Sequence, residues 1–138
     1  MLTAASEKRV KELRMAFQTS MRRLLAAWHA AGINVQVSHG YRSKAQQEAL
    51  FSIGRTKPGK VVTNARPGQS PHNYGLAADV VVIEAGKAVW SKAAYIRLWE
   101  IAEREGLGSK AGVAWAGNWK KFKEYVHFES ANWKKEIL

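Results

Sequence analysis

The stretch SPHNYGLAADVVV, residues 70–82, places the only aspartate of the chain at the start of an apolar run. Asp79 is followed by three valines, and burying a charge among such neighbours is costly unless the charge has a partner. The run ADVVVIE over 78–84 predicts a β-strand, and the bend expected at Gly75 delivers Asp79 to its start. The first question is therefore which group binds the carboxylate of Asp79.

The other elements are predicted from hydrophobic periodicity and capping residues. We predict helices over 6–31, 43–54 and 92–105, strands over 33–38 and 125–130, and a hairpin turn near Gly86. Residues 55–71 hold all three prolines and predict a long loop, which in a compact domain is usually functional. This order indicates an α+β domain with a small, mostly antiparallel sheet flanked by helices.

Composition limits the possibilities further. The 138 residues are 46% hydrophobic, which predicts one folded domain over 1–138. The chain has no cysteine, which excludes disulfides and thiolate metal sites. Its net charge of +11 favours an anionic partner, and nucleic acid, an anionic cell-wall polymer and a membrane surface all fit.

The chain carries no sequence signal for a membrane span or for a signal peptide. Charged residues recur through 6–29 and interrupt any apolar segment of the kind that a signal peptide requires. We therefore expect synthesis in the cytoplasm without a signal peptide and no transmembrane segment. A protein of this kind that acts outside the cytoplasm needs a separate route of release.

Two histidines stand in stretches that could bring them to Asp79. His72 lies seven residues before it, and a loop that runs into a strand can bring the two together, whereas a helix cannot. His127 lies on the predicted strand over 125–130. Two imidazoles and one carboxylate suit Zn²⁺ at about 2.0–2.2 Å and leave the fourth position open, as catalytic zinc sites do. On residue chemistry alone, a salt bridge of Asp79 with Arg42 or a lysine remains an alternative.

A catalytic zinc site also needs a general base that is not a metal ligand. Glu124 lies three residues before His127, which gives the spacing E-x-x-H. If the strand begins after Glu124, its carboxylate lies on the incoming loop and can point toward the metal site. If the strand includes Glu124, its side chain points away from His127.

Three blocks of sequence carry a resemblance to a known family. They are GYRSKAQQEALFSIGRT (40–56), VTNARPGQSPHNYGLAADVVV (62–82) and WAGNWKKFKEYVHFE (115–129). Together they resemble the zinc L-alanyl-D-glutamate endopeptidases, which are peptidoglycan hydrolases of phage endolysins and bacterial cell-wall enzymes. These enzymes are related to D-alanyl-D-alanine carboxypeptidases and dipeptidases. The resemblance covers about residues 33–130.

The resemblance implies a role for individual residues. It implies that the zinc ligands are His72, Asp79 and His127. It also implies that Glu124 is the catalytic acidic residue, that Arg42 binds substrate and stabilises charge on the attacked carbonyl, and that Ser70 and Gln47 lie near the substrate pocket. Two tryptophans at the start of the last block, Trp115 and Trp119, are predicted to line a substrate groove. The chain departs from the family pattern at Ala116, Asn118, Glu124 and Val126, which bears on the bond that is cleaved.

The leading hypothesis is a zinc peptidase that cleaves the L-alanyl-D-glutamate bond of peptidoglycan. It implies a small, monomeric phage-type endolysin that is released from the host cytoplasm and acts in the periplasm or cell wall. The first alternative is a D-Ala-D-Ala carboxypeptidase with the same zinc site. The second is a basic nucleic-acid-binding module, suggested by NWKKFKEY (118–125), where lysines alternate with aromatic residues. We expect peptidoglycan and not nucleic acid as the partner, because the second alternative leaves the histidines and acidic residues unexplained.

Overall fold

The computed structural model describes residues 1–138 and has the predicted α+β architecture. The helices are α1 (Ala4–Lys11), α2 (Met15–Ala30), α3 (Lys44–Ser52), α4 (Lys92–Arg104) and α5 (Trp133–Glu136). The strands are β1 (Asn34–His39), β2 (Ala77–Glu84), β3 (Lys87–Val89), β4 (Val113–Trp115) and β5 (His127–Ser130). No helix combines the length and the apolar character that crossing a membrane requires.

All strand pairs of the sheet are antiparallel. The strand order is β1-β2-β5-β4, and β3 pairs with the end of β2. The long strand β2 is therefore central, and Asp79 pairs with His39 of β1 on one side and with His127 of β5 on the other. The sheet thus aligns three polar residues across three neighbouring strands.

The hydrophobic core lies on one face of this sheet, under α2 and α4. Alternate residues of β2, among them Ala78, Val80 and Val82, are buried in it. Trp28 of α2 packs on Phe128 of β5 with ring centroids 5.4 Å apart, and its indole N–H donates to the carbonyl of Leu98 at 2.9 Å. Because strand side chains alternate, Asp79 points to the face opposite this core. This explains how an aspartate fits within an apolar strand.

The predicted helix over 6–31 is in fact two helices. The chain leaves helical geometry between Lys11 and Met15, and Arg14 has an extended ψ of 144°. The backbone N–H of Arg14 donates to the carbonyl of Gly75 at 3.0 Å, so a distant turn holds the break open. The first helix also begins two residues earlier than predicted, at Ala4, where the side chain of Thr3 caps it by accepting a hydrogen bond from the backbone N–H of Ser6.

Other boundaries match the predictions more closely. Ser43 caps α3 with a reciprocal capping box, at the start of the helix predicted over 43–54. The last strand is shorter than predicted and begins at His127 rather than at residue 125. The short elements β4 and α5 were not predicted. Between the end of α3 and the turn at residue 71, the chain forms no helix or strand, in keeping with the predicted long loop.

Candidate metal centre and cleft

The three predicted ligands reach one point from three elements. His72 lies on a short 3-10 turn over Pro71–Tyr74, where the hydroxyl of Ser70 accepts a hydrogen bond from the backbone N–H of His72 at 3.2 Å. Asp79 lies on β2, and His127 is the first residue of β5, directly opposite Asp79. Two ligands are therefore set by sheet register and one by a capped turn.

The side chains present their ligand atoms to a common centre. Oδ1 of Asp79 lies 3.0 Å from Nδ1 of His127 and 3.4 Å from Nε2 of His72. One ligand atom from each of the three residues can be chosen so that all lie within 4.8 Å of one another. Two imidazole nitrogens and one carboxylate oxygen at this spacing match the ligand set of a catalytic zinc site with an open fourth position.

The outer nitrogen of each histidine is already hydrogen bonded. Nδ1 of His72 donates to the carbonyl of Gly40 at 2.8 Å. Nε2 of His127 donates to Oε1 of Glu129 at 2.8 Å. Metal-binding histidines usually donate their second N–H to a carbonyl or a carboxylate in this way, which fixes the ring and its tautomer. The residues present therefore fit a zinc ion.

Glu129 is a functional residue that the sequence reasoning missed. Its side chain is nearly buried, and its carboxylate is directed at the outer nitrogen of His127. The signal was present, because Glu129 lies two residues after His127 on a strand and therefore on the same face. The spacing H-x-E on a strand is the pattern that could have identified it.

The charges at this centre are strongly coupled. Burial alone would raise the pKa of the Asp79 carboxyl, but hydrogen bonds from His127 and His72 outweigh burial and hold the pKa well below its usual range. Burial alone would lower the pKa of His127, but its hydrogen bonds to Asp79 and Glu129 raise the pKa to about 9. A carboxylate that stays ionised and two oriented imidazoles together form a site that attracts a cation.

Glu124 lies before the last strand, as the interpretation of E-x-x-H as a general base beside a metal ligand requires. Because β5 begins only at His127, Glu124 belongs to the incoming loop. Its Oε2 is 3.8 Å from Nδ1 of His127, and its side chain is 55% exposed. The carboxylate is thus close to the metal-facing side of the centre and is accessible to water, which suits a base better than a buried ligand.

Arg42 lines the same cleft and is held in place by buried groups. Its guanidinium donates to Oε1 of Gln47 at 2.9 Å, and its backbone N–H donates to the carbonyl of His72. Burial lowers the pKa of the Arg42 guanidinium, while the charges of Asp79 and Glu124 act in the opposite direction. Arg42 therefore presents a fixed positive charge next to the candidate metal centre.

The structure changes the interpretation of Gln47. Its side chain is fully buried, and its amide donates to the carbonyl of Ala65 at 2.8 Å. Gln47 therefore lies near the cleft, as expected, but does not line it, so a direct role in substrate binding is not supported. It links α3, the long loop and Arg42, and we expect it to act by orienting that arginine.

An open cleft of about 1800 Å³ runs across the candidate metal centre. Its lining includes residues of the long loop and of α3, together with Trp119, Phe122 and Glu124. Ser70 also lines the cleft, although its hydroxyl is used by the turn. The ring of Trp119 lies 5.7 Å from that of His127, so its position is compatible with the predicted contact to substrate.

Trp115 does not line the cleft, and this prediction is wrong. Only 4% of Trp115 is exposed, because the side chain packs in the hydrophobic core against Trp99 and Phe128. Its indole N–H donates to the carbonyl of Tyr125 at 2.8 Å. Trp115 therefore supports the segment that carries Glu124 and His127 and does not contact a ligand.

Asn73 is a second residue that the sequence reasoning did not identify. Its side-chain oxygen accepts from the backbone N–H of Gly68, and its amide donates to the carbonyl of Arg42 at 2.9 Å. This buried amide ties the long loop to the segment that carries Arg42. It lies directly after His72 in the sequence, but its role depends on contacts about thirty residues away.

A histidine–aspartate–histidine centre in an open cleft, with a glutamate and an arginine beside it, is the arrangement of a metal-dependent hydrolase. The chain belongs to the VanY family of D-alanyl-D-alanine carboxypeptidases, whose family model matches residues 10–133. The match includes the three candidate ligands as well as Arg42 and Glu124. The family relationship inferred from the sequence resemblance is thus confirmed.

One relative of this chain is a peptidoglycan endopeptidase. The peptidoglycan L-alanyl-D-glutamate endopeptidase CwlK of Bacillus subtilis (strain 168) is 39% identical over 116 residues, which cover 77% of this chain. The chain spans 66% of the length of that relative.

Solved structures support the same fold. The L-Ala D-Glu endopeptidase ChiX of Serratia marcescens has a TM-score of 0.73 at 24% identity, covering 100% of this chain and 95% of its own. A variant of the vancomycin resistance D,D-pentapeptidase VanY, in complex with Zn(II), has a TM-score of 0.61 at 19% identity, covering 91% and 77%.

Proposed function

We propose that the protein is a zinc-dependent peptidase that hydrolyses the L-alanyl-D-glutamate bond of peptidoglycan stem peptides. One observation carries this proposal: His72, Asp79 and His127 converge on one point of a cleft that Glu124 and Arg42 also line. The L-alanyl-D-glutamate specificity of the relative CwlK supports the choice of bond.

Each residue of the candidate site has its own role in the proposed hydrolysis. His72, Asp79 and His127 would hold zinc, which when bound polarises a carbonyl and makes water nucleophilic near neutral pH. Glu124 takes a proton from the attacking water and passes it to the leaving amine. Arg42 stabilises the negative charge that develops on the carbonyl oxygen, because its guanidinium is fixed in place before the reaction begins.

A D-Ala-D-Ala carboxypeptidase is the second candidate function. It is favoured by the family model itself and by the fold shared with the VanY structure in complex with Zn(II). The same residues would serve both reactions, since both hydrolyse an amide bond. We place the endopeptidase first because CwlK is far more similar in sequence to this chain than the VanY structure is.

Product analysis separates the two functions. Purified disaccharide-pentapeptide muropeptides would be incubated with zinc-loaded protein and the products identified by mass spectrometry. The proposed activity leaves L-alanine on the muramic acid and exposes a new amino terminus on D-glutamate. Release of free D-alanine with the L-alanyl-D-glutamate bond intact would assign the protein to the carboxypeptidases instead.

We further propose that the protein is a single-domain, monomeric phage endolysin, bacteriolytic and antimicrobial, that acts in the periplasm or cell wall. Its net charge of +11 supports contact with an anionic wall polymer. Purified protein added to Gram-negative cells with a permeabilised outer membrane should lower their turbidity, whereas the Glu124→Gln variant should not. Light scattering coupled to size exclusion should give the mass of one chain.

A further inference from the structure

Two exposed aromatic side chains from one short segment line the cleft. In the segment 119–124, Trp119, Phe122 and Glu124 line the cleft, whereas the three lysines between them do not. Trp119 is 36% exposed and Phe122 is 75% exposed. Exposed apolar groups that adjoin a polar groove are typical of a ligand-binding surface.

The backbone conformation at Phe122 also indicates a ligand-binding role for the exposed ring. Phe122 has a φ of 55°, in the left-handed region that bulky side chains rarely adopt. Such strained conformations cluster at ligand-binding and catalytic sites. The segment thus holds a large apolar ring at the cleft in an unfavourable backbone conformation, although burying the ring would be more favourable.

The covalent structure of the proposed substrate indicates which of its groups would contact the Phe122 ring. In peptidoglycan, the L-alanine of the stem peptide is amide-linked to the lactyl group of N-acetylmuramic acid. If the bond after that alanine lies at the metal centre, one residue of about 3.5 Å separates the centre from the lactyl group. The sugar ring must then lie within the same cleft. In a D-Ala-D-Ala carboxypeptidase, four stem-peptide residues, spanning about 14 Å, would separate the metal centre from the lactyl group.

The residues that line the cleft differ in what they can bind. Arg42, Lys57 and Asn64 are cationic or polar lining residues, and they suit the carboxylates that follow D-glutamate in the stem peptide. Trp119 and Phe122 are aromatic lining residues, and such rings suit the C–H face of a sugar ring. The ring of Trp119 is also 5.7 Å from the ring of His127, within one residue's reach of the centre.

We propose that Trp119 and Phe122 form a subsite for the N-acetylmuramic acid ring that bears the scissile stem peptide. The inference rests on the proposed cleavage of the L-alanyl-D-glutamate bond. It adds that the enzyme recognises the glycan next to the peptide and selects wall-linked stems over free peptides.

Two substrates that differ only in the sugar test this subsite. The first is N-acetylmuramyl-L-alanyl-D-glutamyl-diaminopimelate, and the second replaces the muramyl group with acetyl. The zinc-loaded wild type should favour the muramyl substrate in kcat/KM by about tenfold, the value expected from burying an aromatic ring against the sugar. Phe122→Ala should bring this ratio close to one, and Phe122→Tyr should preserve it.

The ratio is insensitive to losses in folding, because a smaller folded fraction lowers both rates equally. Trp90→Ala is the matched control, since Trp90 is an exposed aromatic residue that does not line the cleft. This variant should keep the wild-type ratio. A wild-type ratio near one, or an unchanged ratio in Phe122→Ala, would overturn the subsite while leaving the proposed function intact.

A binding measurement decides the subsite without turnover. Calorimetry with N-acetylmuramyl-L-alanine should show about tenfold weaker binding to zinc-loaded Phe122→Ala than to zinc-loaded wild type. Equal binding to the two proteins would overturn the subsite. Failure of the wild type to cleave either substrate would contradict the proposed function. The calorimetric titration would still measure whether Phe122 contributes to binding of the muramyl group.

Discussion

Nδ1 of His127 lies 3.0 Å from Oδ1 of Asp79, at a position where β5 and β2 pair residue for residue. Two of the three candidate ligands are therefore fixed by hydrogen-bonded sheet register rather than by flexible loops. Because a one-residue slip would turn one of these side chains toward the core, the register that buries Phe128 also places His127 in the cleft. Folding and metal-site geometry are thus set by the same strand pairing.

Removing the shared carboxylate should remove the metal. We expect one zinc per chain in the wild type and less than about a tenth of that in Asp79→Ala after dialysis. The measurement is metal analysis of protein prepared without chelators. His39→Ala is the matched control, because His39 lies 3.8 Å from Asp79 on the neighbouring strand, is largely exposed and is not a candidate ligand. A wild type without bound zinc would refute the site.

Neutralising Glu129 should weaken zinc binding without removing a ligand. The Glu129→Gln side chain can still accept the hydrogen bond from Nε2 of His127, but it no longer carries the negative charge that makes the imidazole more basic. Loss of such a partner typically costs about 10- to 100-fold in metal affinity. A competition titration with a chromophoric chelator measures this change. Glu100→Gln, on the exposed surface of α4, should bind zinc as the wild type does.

Zinc binding should strengthen as pH rises toward about 9. Without metal, both ring nitrogens of His127 face carboxylates, and the pKa of His127 is raised from 6.5 to about 9. A raised histidine pKa stabilises the metal-free fold below pH 6.5, and this stabilisation is lost as pH rises through 9. Zinc must displace the proton on Nδ1, so the gain in Tm on adding zinc should grow from pH 6 to pH 9. A gain that shrinks over this range would contradict the assignment of Nδ1.

Attachment to the cell wall should depend on salt. The net charge of +11 attracts an anionic polymer, and salt screens exposed charges over about 10 Å at 0.1 M. The bound fraction in a pull-down with purified wall should therefore fall steadily between low and high salt. Binding that does not change across this range would exclude an electrostatic attachment.

The elements that the sequence predicted well are those determined locally. The capping box at Ser43 and the alternation along β2 depend on residues only a few positions apart, so the bounds of α3 and β2 lie close to the predictions. The three candidate ligands and Glu124 were suggested by residue chemistry and then implied by the family resemblance, and the short strand β5 satisfied the geometric condition set for Glu124.

The features that were missed depend on distant contacts. The break before α2 is held by a hydrogen bond between Arg14 and Gly75, which no local pattern reveals. Strand β4 has three residues, too few for a periodic signal. Trp115 stands in a motif beside the site, but its ring packs into the core, because strand alternation and not sequence proximity decides which face a side chain takes.

The most direct test of the account compares muropeptide hydrolysis by the wild type and by Glu124→Gln at matched zinc content. Glutamine keeps the shape of the side chain but cannot accept the proton, so zinc should remain bound while turnover falls by about 10²–10⁴. Mass spectrometry of wild-type digests should show D-glutamate with a free amino terminus, and the variant should yield almost none of this product. A zinc-loaded Glu124→Gln variant that cleaves the same bond at the wild-type rate would contradict the account.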